Sequence, residues 1–451
     1  MVALQVGIQI CIWYFISIRM IQYFLIIFTA VVTSLYYFPF ELVALPGINT
    51  KMAMAVVGIL VSIYRLTMNR DTVIPKNIFM VSLLAGIVSL AGIFAVIYNN
   101  TMDYAYASYL VSMWVWLSAA LVVCTLIEKV HGRLNVPLLC HYLIAVSVAQ
   151  CLLALWIDFD PAVKNLVDTY ISQSQEFLNE VKRLYGIGAA LDVAGTRFSA
   201  CIILITVLIQ KNKKNLSQKQ LYLYILAYVI IAVVGNMIAR TTSVGIIIGL
   251  MYLGYVLKPW KQFAMINTIG IWKNIFLISI LIIPLCSYLY SSNEQFHKLF
   301  RFAFEGFFNY VEYGEWETAS TGKLRTMYVL PDNLKTWIIG DGYFSNPHYS
   351  DPNYVGKSTK WGYYMGTDVG YLRFIFYFGT IGLLAFSALM IYSAQTCMRN
   401  LPRYKAMFAL LLLSNFVIWL KVSTDIFLVF ALLICVANLQ EEDKTSVSLQ
   451  K

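Results

Sequence analysis

Long apolar runs, almost free of charge, constrain this chain more than any motif does. Twelve are present, near 21–40, 52–68, 77–98, 104–127, 137–157, 191–209, 221–239, 241–257, 272–290, 367–393, 405–420 and 424–438. A hydrocarbon core of about 30 Å takes roughly 20 helical residues to cross. Lipid offers no water to exposed peptide groups, so such runs cross as helices. Of the 451 residues 60% are hydrophobic and 12% charged, against about 45–50% and 25% in soluble domains. A soluble enzyme is therefore excluded. The expected fold is all-α, a polytopic integral membrane helical bundle of twelve transmembrane helices. It has thirteen if the apolar stretch 2–18 also crosses instead of lying in the interface. Residues 1–439 then form a single transmembrane domain and 440–451 a short cytoplasmic tail.

The net charge of +10 would suggest nucleic acid in a soluble chain. Here no nucleic-acid partner is expected, because basic residues collect in short cytoplasmic loops of membrane proteins. One set of alternate short connections holds sixteen Lys and Arg, and the other holds Lys51, Arg240 and Lys421. The second set is thereby placed outside the cytoplasm. The eight cysteines lie in or beside apolar runs without CxxC spacing, so neither a disulfide framework nor a zinc site is expected. The first run lacks a charged n-region and a clear cleavage site, which argues against a removable signal peptide.

Two connections, 158–190 and 291–366, exceed what a hairpin needs, and the charge count makes both extracytoplasmic. Long loops are commonly functional. Apolar residues recur at helical spacing in 171–186, and aromatics crowd 296–311. Two readings are open for these segments: a helix in the membrane interface, or a loop helix packed on the bundle.

Ionisable groups near membrane depth are costly and point to function. On the expected outer side stand Arg197, Arg240, Arg325, Asp368 and Arg373. The charge bias should deplete arginine there, and a phosphate-bearing ligand explains its presence, since a planar guanidinium grips phosphate oxygens as a fork. The structural alternatives are snorkelling to headgroups or pairing with a loop carboxylate. Asp368 could act as a general base or cap a helix N-terminus. Asp158 and Asp160 form an Asp-x-Asp pair that could hold a cation, but Pro161 makes a turn the simpler account. Gly340 and Gly342 allow either a tight turn or close approach to a ligand. His297 and His348 have no ligand partners at suitable spacing.

The order of features resembles the O-antigen polymerase and ligase superfamily over roughly residues 190–390. The resemblance rests on Ala239-Arg240-Thr241-Thr242-Ser243-Val244-Gly245, then Gly322-Lys323-Leu324-Arg325 and Trp337-Ile338-Ile339-Gly340-Asp341-Gly342 in a large outer loop. Asp368-Val369-Gly370-Tyr371-Leu372 then opens a span containing Gly379 and Gly382. The resemblance implies a GT-C-like membrane glycosyltransferase that uses undecaprenyl-diphosphate-linked sugars and needs no metal or other cofactor. Arg240 and Arg325 match the arginines that contact the diphosphate. The ligase branch has His followed by Asn where this chain has Asp368 and Val369, a departure that favours the polymerase branch and leaves the base's identity open.

The chemistry supports that reading on its own terms. Breaking a sugar–diphosphate bond leaves extra negative charge, and preorganised arginines can stabilise it without a cation. Two lipid-tethered substrates in one cleft react almost intramolecularly. The expectation is a polymerase in lipopolysaccharide or other surface-polysaccharide biosynthesis. It would transfer a growing glycan from undecaprenyl diphosphate to the nonreducing end of a new lipid-linked repeat unit, with inversion. Asp368 would be the base, Arg240 and Arg325 the diphosphate ligands with Arg197 in support, and Arg373, Tyr371, Gly340 and Gly342 secondary substrate contacts. Its partners would be the lipid-linked oligosaccharide and polysaccharide, the bilayer and a chain-length regulator. Its place would be the bacterial inner membrane, with the active site facing the periplasm. Rival readings are a ligase of the same superfamily and a polysaccharide flippase or transporter.

Overall fold

The computed structural model describes residues 2–68, 75–173, 183–212, 216–257, 283–346 and 362–449, with single positions 178, 273, 277, 280 and 354. Its long helices are α1 (Val2–Tyr37), α2 (Thr50–Met68), α3 (Lys76–Asn99), α4 (Tyr109–His131), α5 (Val136–Phe159) and, after the short α6 (Pro161–Tyr170), α7 (Leu191–Asn212), α8 (Gln218–Ile238) and α9 (Thr242–Leu257). Four short helices follow, α10 (Glu294–Ala303), α11 (Glu305–Tyr313), α12 (Ala319–Thr326) and α13 (Leu334–Ile338), then α14 (Gly370–Asn400), α15 (Lys405–Ile418) and α16 (Phe427–Leu449). Among the described residues eight helices are long and apolar enough to cross a membrane, and Thr242–Val256 and Phe427–Leu439 are shorter apolar helices. The chain is an all-α membrane protein. The span expected at 272–290 lies mostly outside the described residues, of which 283–290 are helical.

Helix ends follow local chemistry. Asn135 caps α5 by accepting from the Leu138 N–H, and Ser217 with Gln220 forms a capping box on α8. These side chains satisfy amides that have no partner inside the helix. Gly132 ends α4 in the left-handed region at φ 65°. The structure adds two details at the termini. The stretch 2–18 is not a separate element but runs unbroken into the first span as one 36-residue helix. The polar tail from Gln440 continues α16 as helix as far as Leu449.

α7 is the centre of the bundle: 89% of its apolar window is buried, against 17% for α2 at the rim. The consecutive Ile202, Ile203, Leu204 and Ile205 are all fully buried, so its middle is enclosed on every side. It packs on α5, α8, α9 and α15. The α7–α9 approach depends on Gly245, where any Cβ would overlap the Ser199 carbonyl oxygen, a small-residue seam typical of helices in lipid. On the rim, Phe24, Ile27, Phe79, Leu90 and Ile97 are exposed, as acyl chains would require.

α14 is two helices in one. Phe378 (φ −132°, ψ 18°) and Gly379 (φ 67°, ψ −173°) break it, and the Gly379 conformation is essentially reserved for glycine. The turn Gly340-Asp341-Gly342 docks into the break, with Asp341 N–H donating to Phe376 O at 2.6 Å and Gly342 N–H to Tyr377 O at 3.1 Å. Carbonyls that a continuous helix would satisfy are thus satisfied by a loop. Lys335 holds Asp341 at 2.7 Å.

The loop segments differ from the helical spacing in the sequence. Residues 171–172 pair as a two-residue strand with Glu41–Leu42, and 183–186 are not helical. An amphipathic helix across 171–186 is therefore not formed at either end. Ile157, Val167, Ile171, Leu178 and Tyr185 instead cluster on the bundle. The aromatic stretch 296–311 is two helices, parted at Phe304, and α10 buries Phe296, Leu299 and Ala303.

Candidate functional site

At one end of the bundle the first turn of α7, the α8–α9 turn, the segments flanking α14 and α15, and the loop before α7 bring charged groups together. Asp192 on α7 accepts from Lys421 Nζ at 2.9 Å and from the Thr241 hydroxyl. Lys421 also reaches Thr241 Oγ1 at 3.4 Å. Arg240, one residue before Thr241, is ion-paired with Glu305 and lies 4.4 Å from the centre of the Phe302 ring. Arg183 stacks on the same ring at 5.1 Å. One aromatic side chain therefore carries two guanidinium groups, and cation–π attraction helps hold both in place.

Asp368 lies in the field of this cluster. Burial first, and then the Asp192 carboxylate, push its carboxyl up to about 7, while Arg373, Lys421 and Arg183 pull it back. Burial pulls the Arg183 guanidinium below its ordinary value, and Asp192 and Asp368 oppose that. Asp368 does not cap α14. The N-cap is Val369, without a side-chain hydrogen bond, so the carboxylate lone pairs are not committed to helix amides. A carboxyl near neutrality can exchange a proton under physiological conditions, and such perturbed groups concentrate at functional sites.

Arg373, the secondary candidate, is held firmly. Its guanidinium is sandwiched between Phe344 and Tyr363, 3.6 Å from each ring centre. It donates to Ser423 Oγ at 2.7 Å and to Phe344 O at 3.2 Å.

The other sequence-derived candidates lie elsewhere. Arg197 is buried deeper in α7, 5.6 Å from the Phe38 ring, and its Nε and Nη1 have no partner among the described residues. Arg325 is largely exposed on α12 and bonds Glu317 at 3.3 Å. The expected convergence of Arg197, Arg240 and Arg325 is thus not formed: Arg183 and Arg240 share the Phe302 ring, and Arg183 and Arg373 act on Asp368. α12 is nonetheless tied to Arg240, since Glu305 also accepts from the Ala319 N–H at 2.9 Å. Tyr371 points into the bundle, its hydroxyl on Phe416 O at 3.0 Å. Gly340 and Gly342 form the turn that closes the α14 break, at φ 86° and 73°.

Asp160 caps α6 through the Ala162 N–H at 2.9 Å, the turn expected from Pro161. Asp158 accepts from Gln295 at 2.7 Å. No group of three metal-ligating side chains occurs among the described residues. His297 stacks on Tyr290 at 4.0 Å, and His348 lies outside the described residues.

Sequence reasoning missed Arg183, Asp192 and Lys421. Lys421 carried a signal, as one of only three basic residues in the outer short connections. Asp192 carried another, an acid in the first turn of a membrane span. Comparison with protein-family models, curated proteins and solved structures finds no match for this chain.

Proposed function

We propose that this protein is a membrane glycosyltransferase acting on lipid-diphosphate-linked sugars, a surface-polysaccharide polymerase. Twelve or thirteen crossings, a GT-C-like arrangement, residence in a bacterial inner membrane and a periplasm-facing site belong to the same proposal. The observation that carries it is the gathering at the end of the bundle of Arg183 and Arg240 on one Phe302 ring, with Asp368 in the field of Arg183 and Arg373. In this reading Asp368 takes the proton from the acceptor hydroxyl as it attacks the anomeric carbon. Arg183 and Arg240 hold the diphosphate that leaves. Arg240 presents one edge to Glu305, so the ligand competes with that carboxylate for the fork. Arg373, fixed by its rings, supplies a steady positive field toward Asp368. Arg197 and Arg325 are left with supporting roles.

The test is a purified, full-length protein given a defined undecaprenyl-diphosphate-linked repeat unit. A ladder of lengthening products, insensitive to EDTA, supports polymerisation. A transfer of finished glycan to another lipid would identify the ligase instead, and no transfer of any kind would sink the proposal. The transporter reading has two observations in its favour. The Arg197 guanidinium is buried inside the central helix, and α14 is discontinuous, a feature of transporter binding sites. Movement of a lipid-linked sugar across vesicles without any ladder would favour it.

A further inference from the structure

A cavity of about 670 Å³ opens between the outer end of α5, the loop preceding α7 and one face of α10. It lies within the size range of small-molecule sites, roughly 300–1,000 Å³. Its polar wall consists of Asp158, Lys164, Arg183, Tyr185, Glu294, Gln295 and Lys298. Asp158 is half-committed: Gln295 Nε2 donates to its Oδ1 at 2.7 Å, while its buried Oδ2 has no partner among the described residues. Lys298 is paired with Glu294 at 2.6 Å.

The lining discriminates between ligand classes. A phosphate or diphosphate favours a wall of cations alone, and here the Asp158 and Glu294 carboxylates would repel it. A sugar hydroxyl is both donor and acceptor, so it suits a wall that mixes carboxylate, amide, ammonium and guanidinium groups with the faces of Tyr185 and Phe302. Arg183 and Phe302 line the cavity; Phe302 also carries Arg240, and Arg183 acts on Asp368. The cavity and the charged cluster therefore share a wall.

We infer that this cavity is a glycan subsite, seating uncharged, hydroxyl-rich sugar units next to the reacting centre. The inference rests on the glycosyltransferase reading for the identity of the sugar. The sugars come from the acceptor repeat unit or from the growing chain, and the experiment separates the two.

The probe is an oligosaccharide of one or two repeat units, cleaved from its lipid by mild acid and so free of diphosphate. Its binding to full-length protein in nanodiscs is read by saturation-transfer NMR. The expected result is saturable binding to the wild type, at least tenfold weaker in Asp158→Asn and in Gln295→Trp, and unchanged in Arg240→Lys. Asp158→Asn preserves shape, and both variants are checked for a monodisperse elution profile. In turnover assays, a raised KM for the repeat unit assigns the subsite to the acceptor, and shorter products at unchanged KM assign it to the growing chain. No saturable binding to the wild type, or equal binding to both cavity variants, overturns the inference. A normal ladder without oligosaccharide binding would remove the subsite and leave the enzyme. Asp158-dependent binding without a ladder would do the reverse.

Discussion

Titration of Asp368 is the most direct check on the site. Its carboxyl is lifted from 3.8 to about 7, chiefly by burial and then by Asp192. At about 1.4 kcal/mol per pK unit, that lift corresponds to an ionisation cost of roughly 4 kcal/mol. Because the folded chain holds this proton more tightly than the unfolded chain, the cost is absent below about pH 4. It grows as pH rises toward 7 and is fully present above it. As a base, Asp368 works only when ionised, so turnover should follow an acid limb centred near pH 7 and fall to about a tenth of its plateau at pH 6. Asp192→Asn removes the second-largest cause and frees Lys421 from its 2.9 Å partner. Both effects favour the ionised form, so the limb should move to lower pH, by up to about one unit. Infrared difference spectroscopy can follow the protonated carboxyl band directly, with Asp368→Asn as the blank and without any substrate. A band titrating near 4, or a limb that climbs in Asp192→Asn, would refute the argument from burial and like charge.

Lys421→Met should shift the same limb upward, the opposite sign, because a cation that lowers the Asp368 pKa is lost; a pH–rate profile unchanged from wild type would count against it. Arg240→Lys keeps the charge but loses the fork and the planar contact with Phe302, and should cut turnover at least about tenfold; product ladders of wild-type length would contradict a diphosphate role. Gly379→Ala forces a side chain into a backbone conformation at φ 67° and against the Ile338 carbonyl. It should cost roughly 1–3 kcal/mol from the backbone alone, seen as earlier loss of the monodisperse peak on heating in detergent.

The bundle could be read from the sequence because bilayer thickness sets a length scale that apolar runs either meet or miss. Places where a helix breaks on demand of its neighbours were not legible. Gly379 breaks α14 only because the 340–342 turn supplies N–H donors to Phe376 and Tyr377, a contact between segments more than thirty residues apart in sequence. The stretch 171–186 carries helical spacing, yet at its described ends Gln173 Oε1 accepts from Gly188 N–H at 2.9 Å and Tyr185 bonds Asp168 at 2.7 Å, so there tertiary bonds outweigh the local pattern. The site was half visible. Asp368, Arg240 and Arg373 stood out as ionisable groups at span ends. Arg183, Asp192 and Lys421 acquire meaning only when three separate chain segments meet, and no spacing along the chain announces that. Arg197 shows the opposite error, since position at a span's start does not fix which way a side chain turns on a helix.

The interruption in α14 has a mechanical corollary. Its hydrogen-bond ladder stops at Phe376 and Tyr377, whose carbonyls are taken by the 340–342 turn, so the segment leading from Asp368 is anchored to that turn. A bilayer that thins or thickens tilts the lower segment through a joint instead of levering a rigid rod. For the proposed polymerase, the surroundings of Asp368 would then stay constant while the rest of the bundle adjusts to its lipid.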